Sequence, residues 1–232
     1  MDNNLSTISQ LDHVDQGLRQ FMLGIYNKMT VGLAVTGVTA WLAASYLTAL
    51  IQSPLWIVFA LLPLAFVLVL SFGLKSLSIT AATLIFYLFS ISMGLSLSTL
   101  FLLYTSTSIT KVFFITAATF AAASIYGYTS NKSLSSWGSF LLIGLIGIII
   151  AGLVNIFLAS SLLSFIISVV GVIVFVGLTA YDTQNIKNDY VSNGNFYGFD
   201  NPEKASIFGA LSLYLNFINI FTHLLSLLGD RK

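Results

Sequence analysis

Long apolar runs alternate with short polar segments along almost the whole chain. Windows of about 19 residues predict seven membrane-spanning helices, at residues 30–51, 54–73, 78–102, 112–129, 137–158, 162–182 and 206–228. Each run can cross about 30 Å of hydrocarbon at about 1.5 Å per residue. The runs are too long and too continuous for the alternating strands of a membrane barrel. The pattern therefore predicts an all-α, polytopic seven-transmembrane-helix bundle.

The seven spans and their short connections predict one membrane domain with a small addition at each end. Residues 1–28 form an N-terminal cytoplasmic amphipathic segment, residues 29–229 the seven-helix transmembrane domain, and residues 230–232 a C-terminal tail. No basic start followed by an apolar core precedes the first span. We therefore expect the first span itself to act as the insertion signal.

Apolar residues in the N-terminal segment recur at intervals of three and four. They are Leu11, Val14, Leu18, Phe21 and Ile25. This spacing predicts an amphipathic helix that lies on the membrane face. Because the segment carries few positive charges, packing against the bundle or the interface is favoured over specific binding of anionic lipid.

Lysine and arginine are unevenly divided between the two ends of the predicted bundle. One end carries Arg19, Lys28, Lys75, Lys132, Lys187 and Lys204, and the other carries Lys111, Arg231 and Lys232. The positive-inside rule then places the N-terminus in the cytoplasm and the C-terminus outside.

The composition narrows the function classes further. Hydrophobic residues make up 57% of the chain and charged residues only 7%, as in integral membrane proteins. The chain has no cysteine, so disulfides and thiolate metal sites are excluded. His13 and His223 are too far apart to resemble a zinc centre. With no phosphate-binding glycine loop and no nucleophile beside a base, we expect neither an enzyme nor a cofactor.

Four polar residues fall at predicted membrane depth: Asn155, Asp182, Asn216 and Asn219. An ionised aspartate at the centre of a spanning helix costs about 2.5–3.5 kcal/mol, so Asp182 must be paired, hydrated or protonated. The sixth and seventh helices run antiparallel, which allows Asp182 and Asn216 to face each other. Asp182 is therefore the first functional-site candidate.

Several strings in these helices resemble those of one family. They are Ser124–Thr129 (SIYGYT), Gly177–Gln184 (GLTAYDTQ) and Ala210–Asn219 (ALSLYLNFIN), together with Met93–Ser96 and Asn155–Phe157. The strings are similar to those of the Bax inhibitor-1 family, also called the transmembrane Bax inhibitor motif family, in its bacterial branch. The likeness covers the chain from about Met29 to Gly229.

The resemblance implies a seven-helix membrane protein and two functions. Some members of the family are described as pH-sensitive calcium leak channels, and others as modulators of a membrane-anchored AAA protease. In the channel members, two aspartates on the sixth and seventh helices share a proton and gate the pore, as coupled carboxylates do. The first of these aspartates matches Asp182, whereas the second falls on Asn216.

The asparagine changes what the resemblance implies for the gate. Asn216 cannot repel Asp182, and its amide can donate a hydrogen bond to the carboxylate. A pH gate is therefore expected to be weakened or shifted to more acid pH. Calcium prefers several hard oxygens with negative charge, so Asp182 is expected to make only a weak calcium contact.

The sequence therefore supports a cation leak channel or transporter of the bacterial inner membrane, with Asp182 and Asn216 as gating or ion-contacting residues. Further candidates for a polar path are Asn155, Asn219, Tyr126, Tyr128 and Gln184. The alternative is a modulator of a membrane protease or stress-response machinery without ion flux of its own. The expected partners are membrane lipid and calcium or protons, with a membrane protease in the alternative, and no nucleic acid.

Overall fold

The computed structural model of the chain describes residues 2–51, 53–54, 56–192, 199 and 201–232. Helices account for most of this part of the chain. They are α1 (Asp2–Tyr46), α2 (Thr48–Ile51), α3 (Trp56–Gly73), α4 (Ile79–Leu103), α5 (Ser106–Thr129), α6 (Ser135–Leu158), α7 (Ser161–Ser192) and α8 (Pro202–Leu228). All except the single turn α2 are long and apolar enough to cross a membrane. The predicted all-α fold with seven spans is confirmed.

The helices extend beyond several of the predicted spans. The fourth span, predicted from residue 112, begins at Ser106 because Thr105 caps the helix and accepts a hydrogen bond from the Ser108 amide (3.3 Å). The sixth span was predicted to end at residue 182, but α7 continues to Ser192. Asp182 consequently lies inside a helix and not at its end.

Helix α1 runs without a break across residue 28, through the predicted N-terminal segment and the first span. Leu18 and Ile25, two of the residues predicted to form its apolar face, are buried in the bundle core. The side chains of Leu11, His13 and Val14 lie outside the described residues.

Helix α8 occupies the centre of the bundle. It packs against α1, α4, α5 and α7, whereas α3 packs mainly on α4, and α6 on α7. Its residues Leu213, Tyr214 and Ile220 have no exposed surface. A helix that is apolar around most of its circumference is favoured in such a central position.

Small residues allow the outer helices to approach their neighbours closely. A β-carbon at Gly127 of α5 would overlap the carbonyl group of Ala180 in α7. One at Gly94 of α4 would lie only 2.7 Å from the Thr36 carbonyl oxygen in α1. These glycines therefore set the distance between helix backbones, as small residues commonly do in membranes.

The lysine-rich end of the bundle is the end at which α3 meets α4 and α5 meets α6. There Lys204 Nζ donates to the Lys75 carbonyl oxygen (2.8 Å) and Lys187 Nζ to that of Tyr128 (2.7 Å). At the opposite end Lys232 Nζ donates to the Phe101 carbonyl oxygen (2.7 Å). The charges are thus grouped as expected, and the assignment of the lysine-rich end to the cytoplasm stays a prediction.

Replacing Gly127 by alanine tests the close contact between α5 and α7. We expect Gly127→Ala to lower the free energy of unfolding by about 1–3 kcal/mol, because the added methyl group overpacks the interface. The matched control is Gly147→Ala in α6, where a β-carbon would meet no atom within 4 Å. Thermal unfolding in detergent measures both. Equal melting temperatures for the two variants would contradict the contact.

Candidate functional site

Asp182 links α7 to the central helix α8 through one carboxylate oxygen. Its Oδ2 accepts a hydrogen bond from Ser212 Oγ (2.6 Å) and another from Asn216 Nδ2 (2.8 Å). The two donors are four residues apart, so they lie one above the other on the same face of α8. The structure therefore brings Asp182 and Asn216 together, as the antiparallel arrangement allows.

Ser212 is the member of this site that the sequence analysis did not single out. Hydroxyl groups in membrane helices commonly bond back to their own backbone, so Ser212 was not expected to bond to another helix. The available signal was its spacing of four residues from Asn216, which places the two side chains on one helix face. Two polar residues at this spacing, opposite an aspartate on the next helix, indicate that both bond to that aspartate.

Asp182 is partly buried and lies beside two neutral hydrogen-bond donors. Asn216 is only 5% exposed, whereas Asp182 itself stays partly exposed. Hydrogen bonds to an ionised carboxylate are shorter and stronger than those between neutral groups. Protonation would turn part of the carboxylate from an acceptor into a donor. The strength of these two hydrogen bonds between α7 and α8 therefore depends on the charge of Asp182.

Gln184 and Asn155 have structural partners away from Asp182. Gln184 accepts from the Leu134 amide (2.6 Å) and donates to the Lys132 carbonyl oxygen (2.9 Å), which fastens α7 to the loop before α6. Asn155 closes the turn between α6 and α7, where its Oδ1 accepts from the Ser160 amide (3.0 Å). Both side chains therefore shape connections between helices.

The remaining candidates for a polar path are also dispersed. Asn219 donates to the Leu215 carbonyl oxygen of its own helix (2.8 Å). The side chain of Tyr126 is 54% exposed on the outer side of α5. The ring of Tyr128 lies 5.3 Å from Lys187 Nζ at the lysine-rich end. These three side chains do not join Asp182 in one described cluster.

A second polar contact holds α8 on another of its sides. The hydroxyl of Tyr214 lies 2.6 Å from Thr36 Oγ1 of α1, and Thr36 Oγ1 donates to the Ser90 carbonyl oxygen of α4 (2.8 Å). All three residues are buried. Helix α8 is thus fixed to α1 and α4 by Tyr214 and to α7 by its bonds to Asp182.

Two cavities of the described bundle lie apart from Asp182. One, of about 1010 Å³, is lined mainly by α1 and α5, and a second of about 330 Å³ lies between α1, α4, α5 and α8. Phe217 of α8 lines both. In this arrangement neither space reaches the Asp182 carboxylate.

The described residues contain no group of three or more histidines and acidic residues that could hold a metal ion. Asp182 with Ser212 and Asn216 offers one charged and two neutral side chains. Calcium takes six to eight oxygen ligands, so these residues would fill only part of its coordination shell. A weak calcium contact at Asp182 stays a prediction.

Comparison with known proteins finds one matching family model and bacterial relatives that align over most of their length. Residues 18–232 match the family model described as "Inhibitor of apoptosis-promoting Bax1". The chain is 43% identical to the inner membrane protein YbhL of Escherichia coli over 222 residues, which cover 93% of this chain and 94% of that protein. It is 42% identical to an uncharacterised protein of Rickettsia prowazekii, over 98% of this chain and 97% of the relative.

Removal of the Ser212 hydroxyl tests the contribution of the newly found donor. We expect Ser212→Ala to lower the free energy of unfolding by about 1.5–3 kcal/mol, the range for hydrogen bonds to charged groups. In an Asp182→Asn background, Ser212→Ala should lower the free energy of unfolding by less, because the charged acceptor has been removed. Chemical unfolding in detergent gives both values.

Ser139→Ala, on an exposed position of α6, is the matched control and should leave stability unchanged. A loss for Ser212→Ala no larger than that for Ser139→Ala would refute the contact.

Proposed function

Since the chain belongs to the Bax inhibitor-1 family, we propose that it is a pH-sensitive cation leak channel or transporter of the inner membrane. Calcium is the proposed ion, and the contact between Asp182 and Asn216 is the proposed gate. The observation that carries this proposal is a carboxylate inside a spanning helix, bound to a second helix by neutral donors. Ionisable groups at such positions mark ion pathways in many membrane proteins.

The gate would work through the charge of Asp182. In the described arrangement, α8 is fixed by Tyr214 on one side and bonded to Asp182 on another. A change of charge on Asp182 acts directly on the second attachment, so the proposed gating movement is one of α7 relative to α8. Because neither of these two cavities reaches Asp182, we propose that this arrangement is a closed channel.

The negative charge of an ionised Asp182 also supports a cation as the transported species. With Asn216 in the partner position, the site carries one negative charge where a pair of aspartates would carry up to two. A single carboxylate attracts calcium less strongly. We therefore propose a low-affinity pathway whose pH response lies at more acid pH than that of an aspartate pair.

The alternative function is a modulator of a membrane-anchored AAA protease or of stress-response machinery. The observation that favours it is that both hydrogen-bond donors to Asp182 belong to the same bundle. In that case the polar group holds α7 and α8 in register and conducts nothing. The two proposals differ in whether the purified protein alone passes ions.

The inner-membrane location rests on the name of the Escherichia coli relative. The cytoplasmic N-terminus rests on the positive charges at the lysine-rich end. Both belong to the proposal, and neither affects the flux measurement in liposomes.

Calcium entry into liposomes that contain only this protein tests the proposed function. A trapped dye reports the flux from about pH 5 to about pH 8, the range in which physiological proton switches operate. We expect a flux that changes with pH in the wild type and loses this dependence in Asp182→Asn. The control Asp189→Asn removes another partly exposed acid of α7 and should keep the wild-type profile.

The variant Asn216→Asp restores a second carboxylate beside Asp182. Two carboxylates in contact share a proton up to a higher pH than one alone does. We therefore expect the pH of half-maximal flux to move upward. Unchanged pH profiles in both Asp182→Asn and Asn216→Asp would eliminate the gating role. Folded wild-type protein that passes no calcium, sodium or protons would favour the modulator.

A further inference from the structure

A deep lateral cleft separates α1 from α5 along one side of the bundle. Its volume is about 1010 Å³, at the upper end of the roughly 300–1,000 Å³ of common ligand pockets. Ala34 and Gly37 of α1 and Ala117 and Ala121 of α5 line its walls, and Phe217 of α8 lies at its base. The small side chains on both helices make the cleft deep.

The length of the cleft suits a hydrocarbon chain. Its α5 wall extends from Phe113 to Thr129, or about 24 Å at 1.5 Å per residue. The length exceeds half of the roughly 30 Å hydrocarbon layer, which is the reach of a lipid tail.

At the lysine-rich end the cleft joins a small basic pocket. This pocket has a volume of about 480 Å³ and is lined by Leu18, Arg19, Tyr128, Thr129 and Lys187. Arg19, Tyr128 and Thr129 line both the pocket and the cleft. The two spaces therefore meet at the point where a lipid tail would pass into its headgroup.

The charges of the basic pocket select the headgroup. Its lining contains two cations and no acidic residue. Lys187 is held in place, since its Nζ donates to the Tyr128 carbonyl oxygen (2.7 Å) and lies over the Tyr128 ring. An ammonium group has three donors, so two remain for a ligand. The exposed guanidinium of Arg19 matches the geometry of a phosphate.

We propose that this cleft and the basic pocket together bind one anionic phospholipid. One acyl chain lies between α1 and α5, and the phosphate lies between Arg19 and Lys187. Basic pockets between membrane helices commonly bind anionic headgroups in this way. The occupied cleft would hold α1 and α5 at a fixed separation on either side of α8.

Native mass spectrometry of the purified protein in detergent tests the site with two added lipids, phosphatidylglycerol and phosphatidylcholine. We expect phosphatidylglycerol to bind more tightly to the wild type. Arg19→Gln should weaken its binding about tenfold, as the loss of one charge-assisted contact does. Phosphatidylcholine should lose less, because its quaternary ammonium already offsets the attraction between its phosphate and the two cations. The control Lys132→Gln removes an exposed charge at the same end, outside the pocket, and should change neither affinity.

The cleft is tested by filling it. Ala121→Trp should weaken both lipids about tenfold or more, because the indole occupies the space of the acyl chain. Ile143→Trp, on an exposed position of α6, is the matched control and should bind as the wild type does. If Ala121→Trp does not fold, Ala121→Leu fills less space and should give a smaller loss in the same direction.

Three results would overturn the proposal. Equal affinity for the two lipids in the wild type would show that Arg19 and Lys187 do not select the anionic lipid. An equal loss of phosphatidylglycerol affinity in Arg19→Gln and Lys132→Gln would show that any positive charge at this end has the same effect, without a specific site. Unchanged lipid binding in the folded Ala121 variant would show that no acyl chain occupies the cleft. If the oligomeric state of that variant changes while its lipid binding does not, the occupant of the cleft is a second copy of the chain.

Discussion

Helix α8 is surrounded by α1, α4, α5 and α7, so its buried polar side chains must bond to neighbouring helices. Tyr214 meets this requirement through Thr36, and Asn216 through Asp182. The same requirement fixes the rotation of α8, because both side chains must reach their partners at once. The positions of the surrounding helices depend on these contacts and on the small residues that allow close approach.

The central position of α8 also explains the spaces in the bundle. Helices α1 and α5 both pack on α8 and form the opposite walls of the lateral cleft. A cleft that opens at hydrocarbon depth and is lined mainly by apolar side chains favours an apolar occupant. The basic pocket at its end adds a preference for negative charge. The gate candidate lies elsewhere, so lipid binding and ion flux can be measured as separate properties.

The Asp182 site differs from a pair of aspartates in the number of charges, and its geometry follows from that difference. Two neutral donors bind a single carboxylate oxygen, whereas two carboxylates would need a shared proton or a cation between them. With a single negative charge, this arrangement is less suited than a pair of aspartates to hold calcium tightly.

The sequence by itself determined the fold class and the number of spans, and it allowed a contact between Asp182 and Asn216. The reason is that hydrocarbon forbids unpaired backbone groups, and isolated charges are costly there. It could not determine that Ser212 joins the contact, that Gln184 fastens a loop, or that Ala117 and Ala121 line a cleft. Those outcomes depend on how each helix rotates and what packs beside it, which only the tertiary structure decides.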